Sequence, residues 1–501
     1  MRAVQEMIDD LQTLIRTRHV LVRIETLDET DAAEIIRRAA VRLKLPVYWW
    51  SVVDGLTRQD DSARRGEVVP DTQSVITALG YLRQTELRAA YVFKGALKQV
   101  AGRAVETRMM QEAAEAARKC ASTIFLVDAA GELPVELSAM AVPYELSMPT
   151  VEELRGILVK TLQDLRVLQD ITVDLTEAEL NHFLQCLRGL TRVEARQLVS
   201  QCLLDDLRLT KDDFENAVAR KRQRIGESGT LDFIATDDTP QVGGMESLRK
   251  WLGLRKNAMS AEARAFGLDA PRGILMLGVQ GCGKSLMARS VAAEWKLPLL
   301  RLDVGALYDK YIGESERQLR RAFKLTASLA PCVLWIDEIE KAFASAASQS
   351  ADGGLSQRMF GSLLSWLQDH KDPVFVVATA NDISALPPEL MRKGRFDEMF
   401  FVDLPGEKAR AQIAAVHLLR RKRNYKKYDV RAIAASCEGF SGAEIEQAIV
   451  ASMYAAFAAR RDVTTQDVLD EIARTRPLSV TMAERVAELR AWAHGRCVMA
   501  D

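Results

Sequence analysis

The sequence predicts two consecutive α/β modules, each made of a buried parallel sheet followed by a group of helices. At 501 residues the chain is longer than a single hydrophobic core supports, so at least two domains are expected. Short apolar, β-rich runs alternate with longer helical patterns in both halves, as in parallel strands joined by crossover helices. In each half the strands then stop and amphipathic helices continue.

The elements follow the same order in both halves. Candidate strands of the first half are Val20–Glu25, Pro46–Ser51, Ala90–Lys94, Thr123–Asp128 and Tyr144–Ser147, and those of the second half include Gly273–Leu277, Cys332–Ile336 and Val374–Ala378. We therefore expect an α/β domain with a helical subdomain at 1–225, a linker at 226–240, a large α/β domain at 241–404, a helical lid at 405–475 and a helical tail at 476–501.

Composition excludes several classes of protein. Hydrophobic residues make up 48% and charged residues 27% of the chain, as in ordinary globular proteins. The net charge of −1 gives no overall basic field, which argues against nucleic acid as a partner. The first residues lack the order of a secretory signal, and no apolar run reaches the roughly 18 residues of a membrane helix. We expect a cytoplasmic protein without a membrane partner, and seven cysteines that stay reduced because no Cys-x-x-Cys spacing occurs.

A phosphate-binding loop is predicted between a strand and a helix of the second half. Its residues are Gly278, Val279, Gln280, Gly281, Cys282, Gly283, Lys284 and Ser285, which satisfy the pattern G-x-x-x-x-G-K-[ST]. Small residues let backbone N–H groups surround a phosphate, and the helix N-terminus adds partial positive charge. We expect Lys284 to reach the β and γ oxygens of ATP, Ser285 to hold Mg²⁺, and Leu286 to line the same site. The alternative is a glycine-rich turn without a ligand.

Two adjacent carboxylates, Asp337 and Glu338, end the apolar run Val333–Ile336. In P-loop enzymes the first such carboxylate holds Mg²⁺ and the second can polarise the attacking water. Asp337 is therefore the candidate metal residue and Glu338 the candidate base. Acids at a strand end otherwise cap helices, but the upstream phosphate loop favours the catalytic interpretation.

These motifs resemble those of the AAA family of ATPases, within the AAA+ superfamily, from about Pro240 to Thr475. The resemblance implies a P-loop NTPase module of the AAA+ type, with a parallel sheet and a helical lid. Asn381 matches the family's sensor, which orients water near the γ-phosphate. Arg392 and Arg395 match the arginine fingers, which act from a neighbouring subunit, although Lys393 stands where the family usually has proline. Isolated arginines are otherwise solvated surface residues.

The same resemblance implies residues around the adenine. Val242 and Gly243 match the segment that covers the base, His417 matches the adenine-side histidine, and Gly442 with Ala443 matches the second sensor segment. Taken alone, the glycines could form a linker turn, and a lone histidine on a helix is more often packed or solvated.

Tyr311 and Ile312 resemble the first pore loop of the family, in which an aromatic-apolar pair projects into a ring channel. The resemblance implies a homo-oligomer, a ring of six subunits, that grips an as yet unidentified protein client. Asp352-Gly353-Gly354 is a weaker candidate for a second pore loop. The alternative places Tyr311 in the core, where aromatic residues usually lie.

The first half looks like a degenerate copy of the second. Gly189-Leu190-Thr191-Arg192-Val193-Glu194 echoes Gly439-Phe440-Ser441-Gly442-Ala443-Glu444, yet the nucleotide motifs are missing. Acidic Asp28 and Glu29 follow the first strand, where carboxylates would repel phosphate. Lys94-Gly95 stands in place of the carboxylate pair, and Gly131 in place of Asn381. We expect a catalytically silent AAA-like module.

Nearly the whole chain is similar to a plastid- and cyanobacterium-encoded family of uncharacterised AAA proteins, through stretches such as Pro46–Leu56 and Ala487–Ala493. The leading hypothesis is an ATP-hydrolysing machine that remodels a protein. A second is an ATP-dependent scaffold or sensor without translocation, and a third is a nucleic-acid remodeller, for which Arg420–Arg423 could line a groove. A further hypothesis is that the pKa of the Cys282 thiol falls beside Lys284 and makes the loop sensitive to oxidation, against the alternative of a small packed residue.

Overall fold

The computed structural model describes residues 4–26, 28–59, 66–129, 133–167, 169–210, 212–227, 229–234, 242–307, 314–341, 355–392 and 394–501. The chain forms two compact units, Met1–Lys221 and Arg222–Asp501. Among the described residues, no helix combines the length and the apolar character that crossing a lipid bilayer requires.

The first unit contains a seven-stranded sheet. Its strands are β1 Leu21–Glu25, β2 Val47–Ser51, β3 Gly55–Arg58, β4 Glu67–Val68, β5 Ala90–Lys94, β6 Thr123–Asp128 and β7 Ala141–Tyr144, in the order β4-β3-β2-β5-β6-β1-β7. Strands β2, β5, β6, β1 and β7 are parallel, and β3 and β4 add antiparallel edges. Alternate side chains face two cores, with Leu21 in one and Val22 in the other, because successive strand residues point to opposite faces.

Helices cover this sheet and continue beyond it. Those before and between the strands are Val4–Arg16, Glu29–Arg42, Val75–Gln84, Leu97–Val100, Ala104–Lys119 and Val135–Ser138. The helical part that follows consists of Val151–Arg166, Glu177–Leu187, Arg192–Asp206 and the first part of Asp213–Glu227, with the short parallel pair β8 Thr172–Val173 and β9 Arg208–Leu209. The last residues of Asp213–Glu227 belong to the second unit. The helices that begin at Val151, Glu177 and Arg192 each start with a capping box, which satisfies their free N–H groups.

The second unit contains another seven-stranded sheet. Its strands are β10 Leu231–Ile234, β11 Gly273–Gly278, β12 Leu299–Leu302, β13 Cys332–Ile336, β14 Val374–Ala380, β15 Glu398–Val402 and β16 Val498–Met499, in the order β10-β12-β13-β14-β11-β15-β16. Among the described strands of this second sheet, β10 is antiparallel to its neighbour β12 and the other pairs are parallel. Strand β11 lies between β14 and β15, as β1 lies between β6 and β7. The prediction of two related α/β modules is confirmed by this shared strand order.

Helices of the second unit flank the sheet and form the lid. Those near the sheet are Glu246–Arg255, Ala261–Ala265, Lys284–Trp295, Glu314–Ser328 and Leu355–Asp369, with 3₁₀ turns at Gly305–Leu307 and Pro388–Met391. The later helices are Glu407–Arg420, Val430–Ser436, Gly442–Ala458, Thr465–Arg474, Leu478–Thr481 and Ala483–Ala493, with a 3₁₀ turn at Tyr425–Lys427. The helices between Glu407 and Arg474 share a separate apolar core.

The structure corrects three details of the predicted elements. Strand β7 occupies Ala141–Tyr144 rather than Tyr144–Ser147, and its Pro143 is tolerated because β7 lies at the edge of the sheet, beside β1. The predicted helical tail also contains β16, which extends the sheet beyond β15. The predicted strands also lack β3, β4, β10, β12 and β15, of which β15 alone has five residues.

Candidate active site

The predicted phosphate loop connects β11 to the helix Lys284–Trp295. Gly281 and Gly283 adopt φ angles of +78° and +88°, which are favourable only for glycine. A Cβ atom on Gly278 would lie 2.0 Å from the carbonyl oxygen of Val402, so this position also requires glycine. Three positions of the loop therefore require glycine, the residue type that lets a backbone approach a phosphate closely.

Lys284 is buried beneath this loop, with 5% of the residue exposed. Its Nζ donates to the carbonyl oxygens of Gly278 and Val279, both at 2.8 Å. Burial lowers the pKa of Lys284 to about 8, and the nearby acidic groups oppose that fall. Because both of these acceptors are neutral carbonyl groups, the positive charge of Lys284 favours the binding of an anion.

The other loop residues differ in exposure. Val279 and Cys282 are buried, Gln280 is exposed, and Ser285 and Leu286 are half-buried. Burial raises the pKa of the Cys282 thiol to about 12, despite the opposing charge of Lys284. The expected lowering of this pKa is therefore wrong, because removal from water outweighs the neighbouring ammonium group.

The two candidate acidic residues lie at the end of β13, beside the loop. Asp337 Oδ1 accepts hydrogen bonds from Ser285 Oγ at 2.9 Å and from Thr379 Oγ1 at 2.6 Å. Thr379 also accepts from the backbone N–H of Glu338 at 3.0 Å. Sequence reasoning missed Thr379, which looks like an ordinary residue of strand β14.

Glu338 adopts a strained backbone conformation with φ +47°, which costs about 1–3 kcal/mol in a non-glycine residue. Its Oε1 accepts a hydrogen bond from Asn381 Nδ2 at 2.9 Å, and its Oε2 forms an ion pair with Lys341 Nζ. The structure thus brings the candidate base and the candidate sensor together. Lys341 has no counterpart in the predicted motifs.

The segment that begins at Val242 packs between the phosphate loop and the lid. Val242 is 8% exposed, and its Cγ1 lies 4.0 Å from the position that a Cβ on Gly283 would occupy. A Cβ on Gly243 would lie 2.8 Å from Ile413 Cγ1, so the lid helix Glu407–Arg420 approaches this segment closely. Only a residue without a side chain fits at Gly243 without displacing the helix.

A second lid helix contacts the loop directly. The N–H of Ala443 donates to the carbonyl oxygen of Gly281 at 3.0 Å, and Gly442 packs against the same oxygen. Ser441 and Glu444 form the capping box of this helix. The predicted second sensor segment therefore touches the phosphate loop through its backbone.

His417 lies on the helix Glu407–Arg420, one turn after Ile413, and is 7% exposed. Its Nδ1 is 3.3 Å from Glu446 Oε1. Burial lowers the pKa of His417, with Glu446 opposing that fall, so the imidazole is neutral at neutral pH. Residues four apart share a helix face, which places His417 on the side that meets the 242–245 segment.

Arg392 and Arg395 lie at the opposite end of the central strand from the phosphate loop. The N–H of Asp397 donates to the carbonyl oxygen of Gly273 at 2.8 Å, at the start of β11, whereas the loop follows its end. The six residues of β11 separate the two ends by about 16 Å. Arg392 is exposed, and Arg395 donates to the carbonyl oxygen of Glu389. The structure does not bring either arginine to Lys284 within one chain.

Several predicted positions lie outside the described residues. These are both residues of the first pore loop, Tyr311 and Ile312, the weaker candidate at 352–354, Lys393, and Gly131 of the first unit.

In the first unit the position equivalent to the nucleotide site is bridged by side chains. Arg192 begins the helix Arg192–Asp206, as Gly442 begins its own helix after an equivalent capping box. Its guanidinium donates to Asp31 Oδ2 at 2.9 Å, to Glu153 Oε2 at 2.9 Å and to the carbonyl oxygen of Ser147 at 3.0 Å. Asp31 belongs to the helix that follows β1. An internal ion-pair network therefore joins the helical part to the sheet part.

Comparison with known proteins identifies three matched segments. Residues 274–404 match the model of the ATPase family associated with various cellular activities (AAA). Residues 7–146 match the N-terminal domain of SpoVK-like AAA ATPases, and residues 152–228 match their second domain.

Similar proteins cover either the full chain or the ATPase part. The uncharacterized AAA domain-containing protein ycf46 of Pyropia yezoensis is 33% identical over 489 residues, which cover 97% of each chain. The protein of the same description from Guillardia theta is 33% identical over 494 residues, covering 97% of this chain and 94% of its own. The proteasome-activating nucleotidase of Aeropyrum pernix is 36% identical over 211 residues, which cover 41% of this chain and 50% of that protein.

Proposed function

Because this chain belongs to the AAA ATPase family, among the ycf46-like proteins, we propose that it uses ATP hydrolysis to remodel a protein client as an oligomeric ring. The separation of Arg395 from Lys284 along β11 carries this proposal, since a site built from one chain would lack its arginines. The family membership itself establishes an ATPase.

The residues around the phosphate loop suit a nucleotide with Mg²⁺. The glycine conformations leave no room for side chains, and the buried ammonium group of Lys284 offers positive charge at the same place. Ser285 and Asp337, joined by a hydrogen bond, would hold Mg²⁺. When bound, the ion supplies positive charge to the phosphate oxygens. Val242, Gly243, His417, Gly442 and Ala443 would surround the adenosine.

Catalysis is assigned to residues of two neighbouring subunits. Glu338 accepts a proton from the attacking water, and the Asn381 amide positions that water beside it. Arg392 and Arg395 of the next subunit stabilise the charge that develops on the phosphate. A closed ring, of six subunits in this proposal, lets every site receive its arginines.

A polypeptide is the proposed client. The relative from Aeropyrum pernix is named for activating the proteasome, and its similarity covers the ATPase part that contains Tyr311 and Ile312. These two residues would grip an extended chain through side-chain packing. Tyr311→Ala should abolish remodelling of an unfolded substrate while sparing ATP binding. A variant with undiminished cellular function would favour the scaffold alternative instead.

Mixing two inactive variants tests the shared site. Glu338→Gln should bind ATP without hydrolysing it, and Arg395→Ala should bind ATP while turnover falls about 10³-fold or more. Equimolar mixing should restore measurable ATPase activity, because some interfaces combine Arg395 of one variant with Glu338 of the other. Arg474→Ala, at the end of a lid helix, is the matched control and should keep full activity. Normal hydrolysis by Arg395→Ala alone, independent of protein concentration, would contradict the shared site.

A further inference from the structure

A buried carboxylate, Glu340, lies next to the candidate base and has no place in the predicted motifs. Only 7% of the residue is exposed, and its Oε1 accepts a hydrogen bond from the backbone N–H of Asn381 at 2.8 Å. Burial raises the pKa of Glu340, whereas N–H groups of Asn381, of Glu340 itself and of Asp382 stabilise its charge. Burying a carboxylate costs free energy unless such donors replace the lost water, so the hydrogen bond from Asn381 stabilises Glu340 in its buried position.

The bond reaches the residue whose side chain faces Glu338. The β11–β14 ladder ends with the pair Leu277 and Ala380, one residue before Asn381. Beyond the last ladder pair, the Glu340 carboxylate therefore accepts the hydrogen bond of the Asn381 backbone N–H. The Asn381 side chain then donates to Glu338 Oε1 at 2.9 Å.

Other bonds between the ends of β13 and β14 reach different atoms. Thr379 Oγ1 bonds Asp337 and the N–H of Glu338, and the N–H of Ile339 donates to the carbonyl oxygen of Thr379 at 2.9 Å. These contacts fix the acidic residues to the strand. The hydrogen bond from the Asn381 backbone N–H to Glu340 Oε1 instead orients the Asn381 backbone.

We propose that Glu340 is a positioning residue for ATP hydrolysis, which sets the Asn381 amide against the Glu338 carboxylate. The inference rests on the roles proposed above for Asn381 and Glu338. Removing the carboxylate would free the Asn381 backbone and let its amide move away from the base. A displacement of about 1 Å in a positioned group can cost about 100-fold in rate. ATP binding should change little, because the hydrogen bonds of Glu340 come from backbone N–H groups outside the phosphate loop.

The test uses the full-length chain and separates turnover from binding. Glu340→Ala should lower kcat about 10- to 100-fold and leave the KM for ATP and the affinity for a fluorescent ATP analogue within about twofold of wild type. Glu340→Gln keeps a carbonyl oxygen that can accept the Asn381 N–H, so it should recover most of the lost kcat. Asp382→Ala is the matched control, because the neighbouring Asp382 carboxylate bonds Ser384 and pairs with Arg485 rather than with Asn381, and it should retain wild-type kcat.

A double variant shows whether Glu340 acts through Asn381. If it does, Glu340→Ala with Asn381→Ala is no slower than Asn381→Ala alone, because the positioned amide is already gone. Multiplied losses, a Glu340→Gln as slow as Glu340→Ala, or a KM that rises in step with the loss would each overturn the proposal.

Different outcomes distinguish a failure of the proposed function from a failure of this inference. A fully active Asn381→Ala would remove the proposed role of Asn381 and this inference with it. A slow Asn381→Ala beside an active Glu340→Ala would overturn the inference alone.

Discussion

Replacing Arg192 with alanine should destabilise the first unit far more than an ordinary surface substitution. The guanidinium makes three hydrogen bonds, to Asp31, Glu153 and Ser147. The side chains of Arg192, Asp31 and Glu153 are only 11%, 16% and 17% exposed. Removing one partner of a buried ion pair leaves uncompensated charge and costs about 3–5 kcal/mol. For a unit of this size that loss lowers Tm by roughly 6–20 °C.

Calorimetry of the full-length chain measures this loss of stability. Hydrogen exchange, followed in peptides of Glu29–Arg42 and Arg192–Asp206, locates it. The matched control is Arg155→Ala, whose partner Glu177 is 70% exposed; an exposed pair contributes at most about 1 kcal/mol. Exchange should accelerate in both peptides for Arg192→Ala and stay unchanged for the control. Equal, small shifts in Tm for the two variants would refute the reasoning that this network closes the first unit.

Two further predictions concern the second unit. Lys284→Ala in the full-length chain should reduce bound ATP from one per subunit to none in equilibrium dialysis, because the buried ammonium group is lost; a remaining micromolar site would assign nucleotide binding to the first unit. The pKa of His417 is lowered from its ordinary value of 6.5, so the unfolded state takes up a proton more readily than the folded state. Stability of the second unit should therefore decline as the pH falls below about 6.5, and His417→Gln should weaken that decline in denaturation curves measured at pH 7.5 and 5.5. Identical pH dependence in the two proteins would show that His417 does not contribute.

The local motifs of the candidate site could be recognised in the sequence, whereas the contacts that support them could not. The phosphate loop is contiguous in sequence, and its strand and helix contexts follow from residues on either side. Thr379, Glu340 and Lys341 contact the candidate site because the ends of β13 and β14 lie side by side, although the helix Leu355–Asp369 separates these strands in the sequence. A threonine in an apolar strand carries no signal of such a role.

For the fold, too, some elements were predictable from the sequence and others were not. Most central strands of five or more residues, such as β13 and β14, were recognised, since burial on both faces produces continuous apolar runs. The five-residue strand β15, which begins with Glu398, was not. The four-residue strands β10 and β12 lack that signal. For Cys282, sequence showed the nearby positive charge but not the depth of burial, and burial decides the pKa.

Arg192, Asp31 and Glu153 hold the helical part of the first unit against its sheet part through their own side chains. We therefore expect the conformation of the first unit not to change with the cellular ratio of ATP to ADP. The second unit should respond to that ratio, because its lid contacts the phosphate loop itself. One polypeptide would then join a body of constant shape to one that responds to metabolic state.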